Sequence, residues 1–271
     1  MGNYYIMANE SCGLENVHSV ISPSQLAYIF RPILYLHSEE NFFPSTIEYI
    51  FENSELYSKG KKVTRKGIVN NSNIFQYQHN FSPPLQFKIE EKCWEGNRDL
   101  NNVPYYYKTY DIPKYVVIQY VFIYPYNGAY LVFGKKYGQH QFDLEHVSVF
   151  VNKVTLQVDK IYYGAHRSRD GQWVDKKDIE FEDERPVVYS AKHSHGCYWK
   201  PSVWYRVFGL ANDHTNRGHR WDANRVVNLE LQDWNFFQGE IGNEPTAKYH
   251  DWYENENESS ASFLGRFCCP W

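Results

Sequence analysis

The densest group of residues that could do chemistry is the segment Gln139–His146, which reads QHQFDLEH. Asp143 and Glu145 are two residues apart, and side chains in a β-strand alternate between its two faces. A strand that begins at Asp143 would therefore place both carboxylates on one face, where they repel unless a cation or a proton intervenes. His140, on the turn before such a strand, could reach the same point.

Two carboxylates and one imidazole suit a divalent cation that prefers hard ligands. Magnesium, calcium or manganese fits this set, and zinc fits it less well. We therefore predict a divalent cation, magnesium or calcium before zinc, bound by His140, Asp143 and Glu145. The alternative is that these residues form the solvated polar face of an edge strand, because short motifs often arise by chance.

Three further polar clusters follow this segment along the chain, at positions up to residue 222. In Lys192–Gly196 (KHSHG), His193 and His195 would share one strand face and could form a two-histidine metal clip. They could equally satisfy backbone groups at a strand end. The candidate ligand-binding residues of these clusters are His166, Arg167, Asp170, His193, His195, Asp213 and His214.

Composition indicates that strands position these side chains. Aromatic residues make up 18% of the 271 residues, including 24 Tyr, and they favour pleated, half-buried surfaces. Short apolar runs alternate with turn signals, which predicts a mainly β protein, a single-domain β-sandwich or jelly-roll with a few short helices. The runs that we interpret as strands are Ile33–His37, Tyr115–Tyr124, Glu145–Val151, Lys160–His166, Pro186–Ala191, Val203–Leu210 and Val226–Leu231.

Two local patterns refine this picture. The run Tyr115–Tyr124 is apolar on both faces, which predicts a central strand covered on both sides. A short helix is predicted at Pro44–Phe51, where Ser45 could cap and Glu48 follows three residues later, as in a capping box. Since the chain has no internal repeat or long linker, we divide it into an N-terminal extension (1–30), one β-sandwich domain (31–250) and a polar C-terminal tail (251–271).

Charge and hydropathy exclude several classes of protein. The net charge of −4 and pI near 6.3 provide no basic field for nucleic acid, and we interpret the basic run Lys59–Lys66 as a solvated loop or hairpin. No run approaches the ~18 apolar residues that a membrane span needs, and the N-terminus lacks the pattern of a secretory signal. Five cysteines without a CxxC pair indicate reduced thiols. We expect an intracellular protein, cytoplasmic or virion-associated.

Four stretches in the chain occur in an order that resembles the vacuolar protein sorting-associated protein 62 family. They are RPILYLHSEENFFPSTIEYIF (Arg31–Phe51), FIYPYNG (Phe122–Gly128), HQFDLEHVSVFV (His140–Val151) and RPVVYSAKHSHGCYWKP (Arg185–Pro201). That family is in turn similar to the necrosis-inducing cytolysins of plant pathogens, whose hallmark is G-H-R-H-D-W-E. The chain has the first His, the Asp and the Glu of this hallmark, and it lacks the Gly, the second His and the Trp.

The resemblance implies a β-sandwich and a divalent cation surrounded by His140, Asp143 and Glu145. In the cytolysins an upstream Asp after a Pro completes the site, and the corresponding residue here is Asn127, two residues after Pro125. A neutral amide oxygen can ligate a cation but lowers the affinity. The cytolysins bind sphingolipid head-group sugars, so the resemblance also implies a glycan or a lipid head group as a partner.

Three functions remain open at this level. The first is a non-enzymatic binding module whose cation orders loops that present Tyr and Trp to a glycan or lipid head group. Such a module could act in trafficking or at membranes. The second is a metal-dependent hydrolase, in which the cation activates water and His193 or His195 is the general base. The third is a structural or virion-associated protein without a ligand. We favour the binding module.

Overall fold

The computed structural model describes residues 4–5, 20–81, 83–166, 170–242 and 244–245, and strands dominate them. The first eleven strands are β1 (Tyr4–Tyr5), β2 (Val20–Ile21), β3 (Ile33–Leu36), β4 (Ser54–Ser58), β5 (Lys61–Lys62), β6 (Leu85–Ile89), β7 (Tyr105–Asp111), β8 (Tyr115–Asn127), β9 (Tyr130–Val132), β10 (Lys135–Tyr137) and β11 (His140–Asn152). The remaining strands are β12 (Val158–Tyr163), β13 (Gln172–Asp175), β14 (Phe181–Glu182), β15 (Arg185–Ser190), β16 (Cys197–Tyr198), β17 (Ser202–Trp204), β18 (Asp213–Thr215), β19 (His219–Trp221), β20 (Val226–Asn228), β21 (Glu240–Ile241) and β22 (Glu244–Pro245).

A six-stranded sheet in the order β13-β12-β11-β8-β7-β20 forms the centre of the molecule. One face packs on a sheet in the order β14-β15-β3-β19, with β16 also paired to β15, and the other packs on the sheet β22-β21-β6-β4-β5. The pairs β15–β3, β20–β7 and β21–β6 are parallel, whereas the long ladder between β8 and β11 is antiparallel. The prediction of a mainly β sandwich is confirmed.

Two apolar cores lie on opposite faces of the central sheet. In the first core, Tyr120 and Phe122 of β8 pack with Leu34 and Val188 from the facing sheet. In the second core, Val121 and Ile123 of β8 pack with residues such as Phe87 of β6. Because successive residues of β8 enter different cores, this strand is apolar on both faces, as the run Tyr115–Tyr124 predicted.

Among the described residues there are three α-helices, α1 (Pro23–Ile29), α2 (Ile47–Glu52) and α3 (Ile74–Asn80). The described helices include none with the length and apolar character needed to span a membrane. Leu26 and Ala27 of α1 belong to the first core. Short 3-10 helices occur at Glu91–Cys93, Leu100–Asn102, Lys176–Asp178, Val207–Gly209, Leu229–Leu231 and Asp233–Phe236.

The helix predicted at Pro44–Phe51 begins later than expected. The N-cap of α2 is Thr46, whose hydroxyl accepts a hydrogen bond from the Tyr49 N–H at 3.0 Å. Ser45 was the wrong cap, because its side chain is buried and its N–H donates to the Ile123 carbonyl of β8. Tertiary packing therefore moves the N-cap by one residue, from Ser45 to Thr46.

Two predicted strands are shorter than expected. Val203–Leu210 contains only the end of β17, followed by the 3-10 helix Val207–Gly209, and Val226–Leu231 passes from β20 into another 3-10 helix. The prediction for Val203–Leu210 rested on its being a short apolar run between turn signals. Tyr205 and Phe208 instead project into solvent, so no sheet continues through them.

The basic run forms a hairpin, which is one of the two structures expected for it. β5 pairs with β4, and Lys62 forms an ion pair with Glu55 while Lys66 pairs with Glu90 at 3.1 Å. Of the cysteines, Cys93 and Cys197 lie among the described residues, and both are free thiols in the interior. The proposed C-terminal tail, 251–271, lies outside the described residues.

Candidate functional site

Asp143 and Glu145 lie on the face of β11 that borders the first core. Val147, Val149 and Val151 continue the same face into that core, whereas Leu144 enters the second core. Asp143 is paired with Tyr124 of β8, and each carboxylate is only 7% exposed. The structure therefore places the two carboxylates in the interior, and they do not form a solvated edge.

The negative charges of these carboxylates affect the pKa of a neighbouring thiol. Cys197, the first residue of β16, is fully buried. Burial raises the pKa of its thiol well above the usual range, and the negative charges of Glu145 and Asp143 raise it further. The thiol therefore stays protonated, which makes Cys197 a poor nucleophile.

His195 faces Asp143 from a tight turn. Its Nδ1 lies 2.8 Å from Asp143 Oδ2, its Nε2 lies 3.1 Å from the Phe42 carbonyl oxygen, and its ring stacks on Tyr124 with 3.7 Å between centroids. Both ring nitrogens thus face oxygen acceptors. A neutral imidazole carries one N–H, so only the doubly protonated ring can donate to both.

The turn that carries His195 differs from the strand predicted for it. His193 and His195 lie between β15 and β16 and both have positive φ, 67° and 58°. They therefore do not share a strand face as a two-histidine clip, and this expectation is wrong. Positive φ is uncommon for residues other than glycine, and here the turn is closed by a hydrogen bond from the His195 N–H to the Ala191 carbonyl at 3.0 Å.

Glu40 is a third buried carboxylate at this place, and sequence reasoning missed it. Its oxygens accept from the N–H groups of Asn41 and Phe42 at 2.9 Å and of His193 at 2.6 Å, and Oε1 lies 3.9 Å from His195 Nε2. Burial alone would raise the pKa of Glu40. Hydrogen bonds from His193, the charge of His195 and backbone N–H groups outweigh burial, so the pKa is lowered and Glu40 stays ionised.

We call Glu40, Asp143, Glu145 and His195 the acidic-histidine cluster. Glu40 follows β3, the two other carboxylates lie on β11, and His195 follows β15. The only sequence signal for Glu40 was its place in the stretch Arg31–Phe51 that carried the family resemblance. Its backbone partners depend on loops that meet only in the folded chain.

Asn127 and His140 lie directly opposite each other at the ends of β8 and β11. His140 is the first residue of β11 and does not lie on a preceding turn. Phe142 has φ of +61°, which interrupts the strand alternation: both Gln141 and Phe142 reach the second-core side, where Gln141 accepts from the Ile89 N–H. Alternation then directs His140 to the opposite face, which is that of Asp143.

The hydrogen bonds of Asn127 and His140 determine which of their atoms could ligate a cation. The Asn127 amide nitrogen donates to the carbonyls of Gly138 (2.7 Å) and Gly128 (3.0 Å), so the amide oxygen is the potential ligand. His140 Nδ1 lies 3.1 Å from the Phe142 carbonyl oxygen. An Nδ1–H bond to a carbonyl assigns Nε2 as the unprotonated nitrogen.

Within the part of the chain that the structure describes, no three His, Cys, Asp or Glu side chains are arranged to hold a metal ion. Asp143 is instead paired with His195. The donor chemistry still fits magnesium or calcium, because Asp143, Glu145 and Asn127 supply oxygens and His140 a nitrogen. A cation would require these side chains to rotate toward one another.

A second cluster surrounds Asp213, which is fully buried in β18. The groups around its carboxylate are the Tyr130 hydroxyl, Ser194 Oγ at 2.7 Å, the Tyr198 hydroxyl at 2.6 Å, His166 Nε2 at 2.5 Å and Arg206 Nη1 at 3.7 Å. Burial alone would raise the pKa of Asp213, but the charge and hydrogen bond of His166 and the charge of Arg206 hold it well below the usual range.

The other predicted ligand-binding residues do not lie together in one site. Asp170 acts electrostatically on Arg206, whose pKa its charge helps to raise. His214 is exposed, and its carbonyl accepts from the Lys192 N–H at 3.0 Å. Arg167 lies outside the described residues. His166 and Asp213 are therefore brought together, whereas His214 is not directed into either cluster.

The segment Lys192–Gly196, which we call the histidine turn, joins the two clusters. His195 contacts Asp143, and the neighbouring Ser194 contacts Asp213. The His193 carbonyl accepts from the Gly128 N–H at 2.8 Å, and a Cβ on Gly128 would lie 2.8 Å from His193 Cβ. The close approach requires glycine at this position.

The sequence profile of the family described as Vacuolar protein sorting-associated protein 62 matches residues 7–229. The chain belongs to this family. The match confirms the resemblance inferred from the four stretches. No curated protein matches the chain significantly.

Solved structures similar to this family member include necrosis-inducing proteins. Necrosis and Ethylene inducing Protein 2 from the causal agent of cocoa's Witches Broom disease is 14% identical, with 77% of this chain and 75% of that chain covered and a TM-score of 0.42. A structure titled "Toxin fold for microbial attack and plant defense" is 13% identical over 85% and 86% of the chains, with a TM-score of 0.45. NLPPya in complex with glucosamine is 14% identical over 76% and 73%, with a TM-score of 0.41.

Proposed function

We propose that this protein is a non-enzymatic binding module. Its acidic-histidine cluster, together with Asn127 and His140, binds magnesium or calcium, and the cation binds oxygens of a glycan or a lipid head group. The cation neutralises the carboxylates and fixes the loops around them. Association with membranes or with trafficking follows from such a ligand.

The observation that carries the proposal is an excess of buried negative charge. Glu40, Asp143 and Glu145 are all less than a tenth exposed, and the imidazoles of His195 and His193 lie 2.8 Å from Asp143 and 3.5 Å from Glu40. Buried carboxylates that share a region repel one another unless a cation or proton joins them. A divalent cation on Asp143 and Glu145 would remove this repulsion.

Backbone strain at the same place supports a binding role. Phe142, His166, His193 and His195 all have positive φ. A non-glycine residue in such a region costs about 1–3 kcal/mol, and these conformations concentrate at ligand sites. The strained backbone at both clusters supports a role in binding for this region.

The geometry of His195 favours binding over hydrolysis. A general base needs a nitrogen within hydrogen-bond reach of the proton that it removes. His195 is fully buried, stacked on Tyr124 and engaged through both nitrogens. It therefore positions Asp143, and we do not assign it to proton transfer.

The first experiment is elemental analysis of the purified protein, with thermal melting before and after chelation. We expect one magnesium or calcium per chain and a lower Tm with chelator. A ligand at ~100 times its Kd adds roughly 2.7 kcal/mol to the free energy of unfolding. Asp143→Asn, which retains an oxygen acceptor for His195, should lose both the metal and the chelator effect.

The matched control is Glu230→Ala, which removes an exposed carboxylate elsewhere and should change neither readout. Glucosamine and mannosamine, the sugars in two NLPPya structures, are the first ligands to titrate, followed by glycolipid head groups. Absence of a stoichiometric cation and of any chelator effect would refute the cation site and favour a structural role. Metal-dependent turnover of an ester, glycoside or phosphoester that His193→Ala abolishes would instead establish the hydrolase.

A further inference from the structure

Two neighbouring hairpins carry exposed apolar side chains that the acidic-histidine cluster does not use. One is β9–β10, with its turn at Phe133–Gly134, and the other is the loop between β17 and β18. Phe133 is 89% exposed and Phe208 is 105% exposed. We call the following exposed residues the tip surface: Leu131, Phe133, Tyr205, Val207, Phe208 and Leu210.

The bases of the two hairpins are joined. The Tyr130 hydroxyl of β9 donates to Asp213 of β18, which pairs with Trp204 of β17. Arg206 Nη1 donates to the Tyr130 oxygen at 3.3 Å. Both hairpins are therefore anchored at the Asp213 cluster.

The backbone at both tips is unfavourable for the residues that occupy it. Phe133 and Gly134 have φ of 49° and 76°, as in a type I′ turn, where Asn-Gly is the preferred pair. Val207 and Phe208 have φ of 45° and 56°, and positive φ is rare for bulky or β-branched residues. These aromatic side chains thus add conformational strain and exposed apolar area without stabilising the fold by packing.

Charge identifies the partner that suits this surface. Lys135 and Lys136 follow the Phe133 tip directly, and both are exposed. Apolar and aromatic side chains flanked by lysines are typical of segments that enter the interfacial region of an anionic bilayer.

We infer that the tip surface inserts into the interfacial region of a lipid bilayer rich in anionic head groups, with Lys135 and Lys136 against the phosphates. The inference uses neither a cation nor a sugar. It therefore goes beyond the proposed function, and either can fail without the other.

The test is co-sedimentation of the full chain with vesicles of phosphatidylcholine, with and without about 30% phosphatidylserine, in the presence of a chelator. Wild type should bind the anionic vesicles, less at high salt. Phe133→Asp with Phe208→Asp should reduce partitioning by roughly tenfold or more per side chain. Lys135→Glu with Lys136→Glu should remove the preference for anionic vesicles.

The matched control is Val154→Asp, because Val154 is 92% exposed but lies in the turn after β11. It should bind vesicles as wild type does. Circular dichroism verifies that all variants fold. The inference is overturned if wild type does not bind, if Val154→Asp loses as much as the double variant, or if the double variant changes self-association without vesicles instead of partitioning.

Discussion

At the scale of single residues, the buried carboxylates of the two clusters are stabilised in different ways. Asp213 receives hydrogen bonds from three hydroxyls and lies against His166 and Arg206, so its charge is satisfied within the protein. Asp143 contacts His195 Nδ1 at 2.8 Å and shares its strand face with a second buried carboxylate, Glu145. We therefore expect Asp213 to contribute to stability, and ligand binding at Asp143 remains a proposal.

Asp213→Asn should destabilise the protein by about 3–5 kcal/mol at neutral pH, because it leaves buried charged groups without their partner. The folded-state pKa of Asp213 lies below its ordinary value of 3.8. Its stabilisation is therefore fully present above that value and is lost as pH falls through the folded-state pKa. Urea unfolding across pH should show the variant and wild type converging in acid.

The control for this prediction is Asp178→Asn, which changes an exposed carboxylate. Its unfolding free energy should follow that of wild type at every pH. A constant difference between Asp213→Asn and wild type down to strong acid would contradict the assigned role of the charge.

At the scale of secondary-structure elements, tertiary contacts determine where short segments begin and end. Helix α2 begins after Thr46 because Ser45 is hydrogen-bonded through its backbone to β8. The histidine turn likewise depends on partners in other elements: Asp143 on β11, Asp213 on β18 and Glu40 after β3. The histidine turn therefore contacts both clusters at once.

Thr46→Ala should lower the free energy of unfolding by about 1 kcal/mol, because it removes the side-chain cap of α2. Ser45→Ala is the comparison: the Ser45 hydroxyl is buried and finds no hydrogen-bond partner among the described residues. Its removal should be neutral or slightly stabilising. Equal destabilisation of both variants in chemical denaturation would show that the cap had been wrongly assigned.

On the scale of the whole molecule, the central sheet separates two cores. β8 and β11 pair over almost their full lengths and contribute side chains to both cores. The β9–β10 hairpin pairs with no third strand in the described structure. Stability should therefore decrease from the centre of the sheet toward the tip surface.

Native-state hydrogen exchange should show this gradient. Backbone amides of residues 117–123 in β8 should exchange only through global unfolding, since opening them disrupts both cores. Amides of residues 130–137 should exchange through small local openings, because an isolated two-stranded hairpin is marginally stable. Protection of the hairpin comparable to that of β8 would contradict this description.

The sequence by itself determined the features that depend on local periodicity. The two-residue spacing of Asp143 and Glu145 placed both carboxylates on one strand face, and the apolar run Tyr115–Tyr124 indicated a strand covered on both sides. Both patterns repeat every two residues, so neighbouring residues suffice to read them. The order of four stretches indicated the family. The cation and its ligand remain predictions.

Only the tertiary structure decided which distant residues complete the site. Along the sequence, His195 is 52 residues from Asp143. Glu40, which accepts a hydrogen bond from the His193 N–H, is 153 residues from His193. Left-handed backbone at His193 and His195 rotates their side chains in a way that a strand pattern does not predict. The same holds for the tip surface, because an apolar run indicates burial only when other elements pack over it, and none of the described elements packs over Phe133 or Phe208.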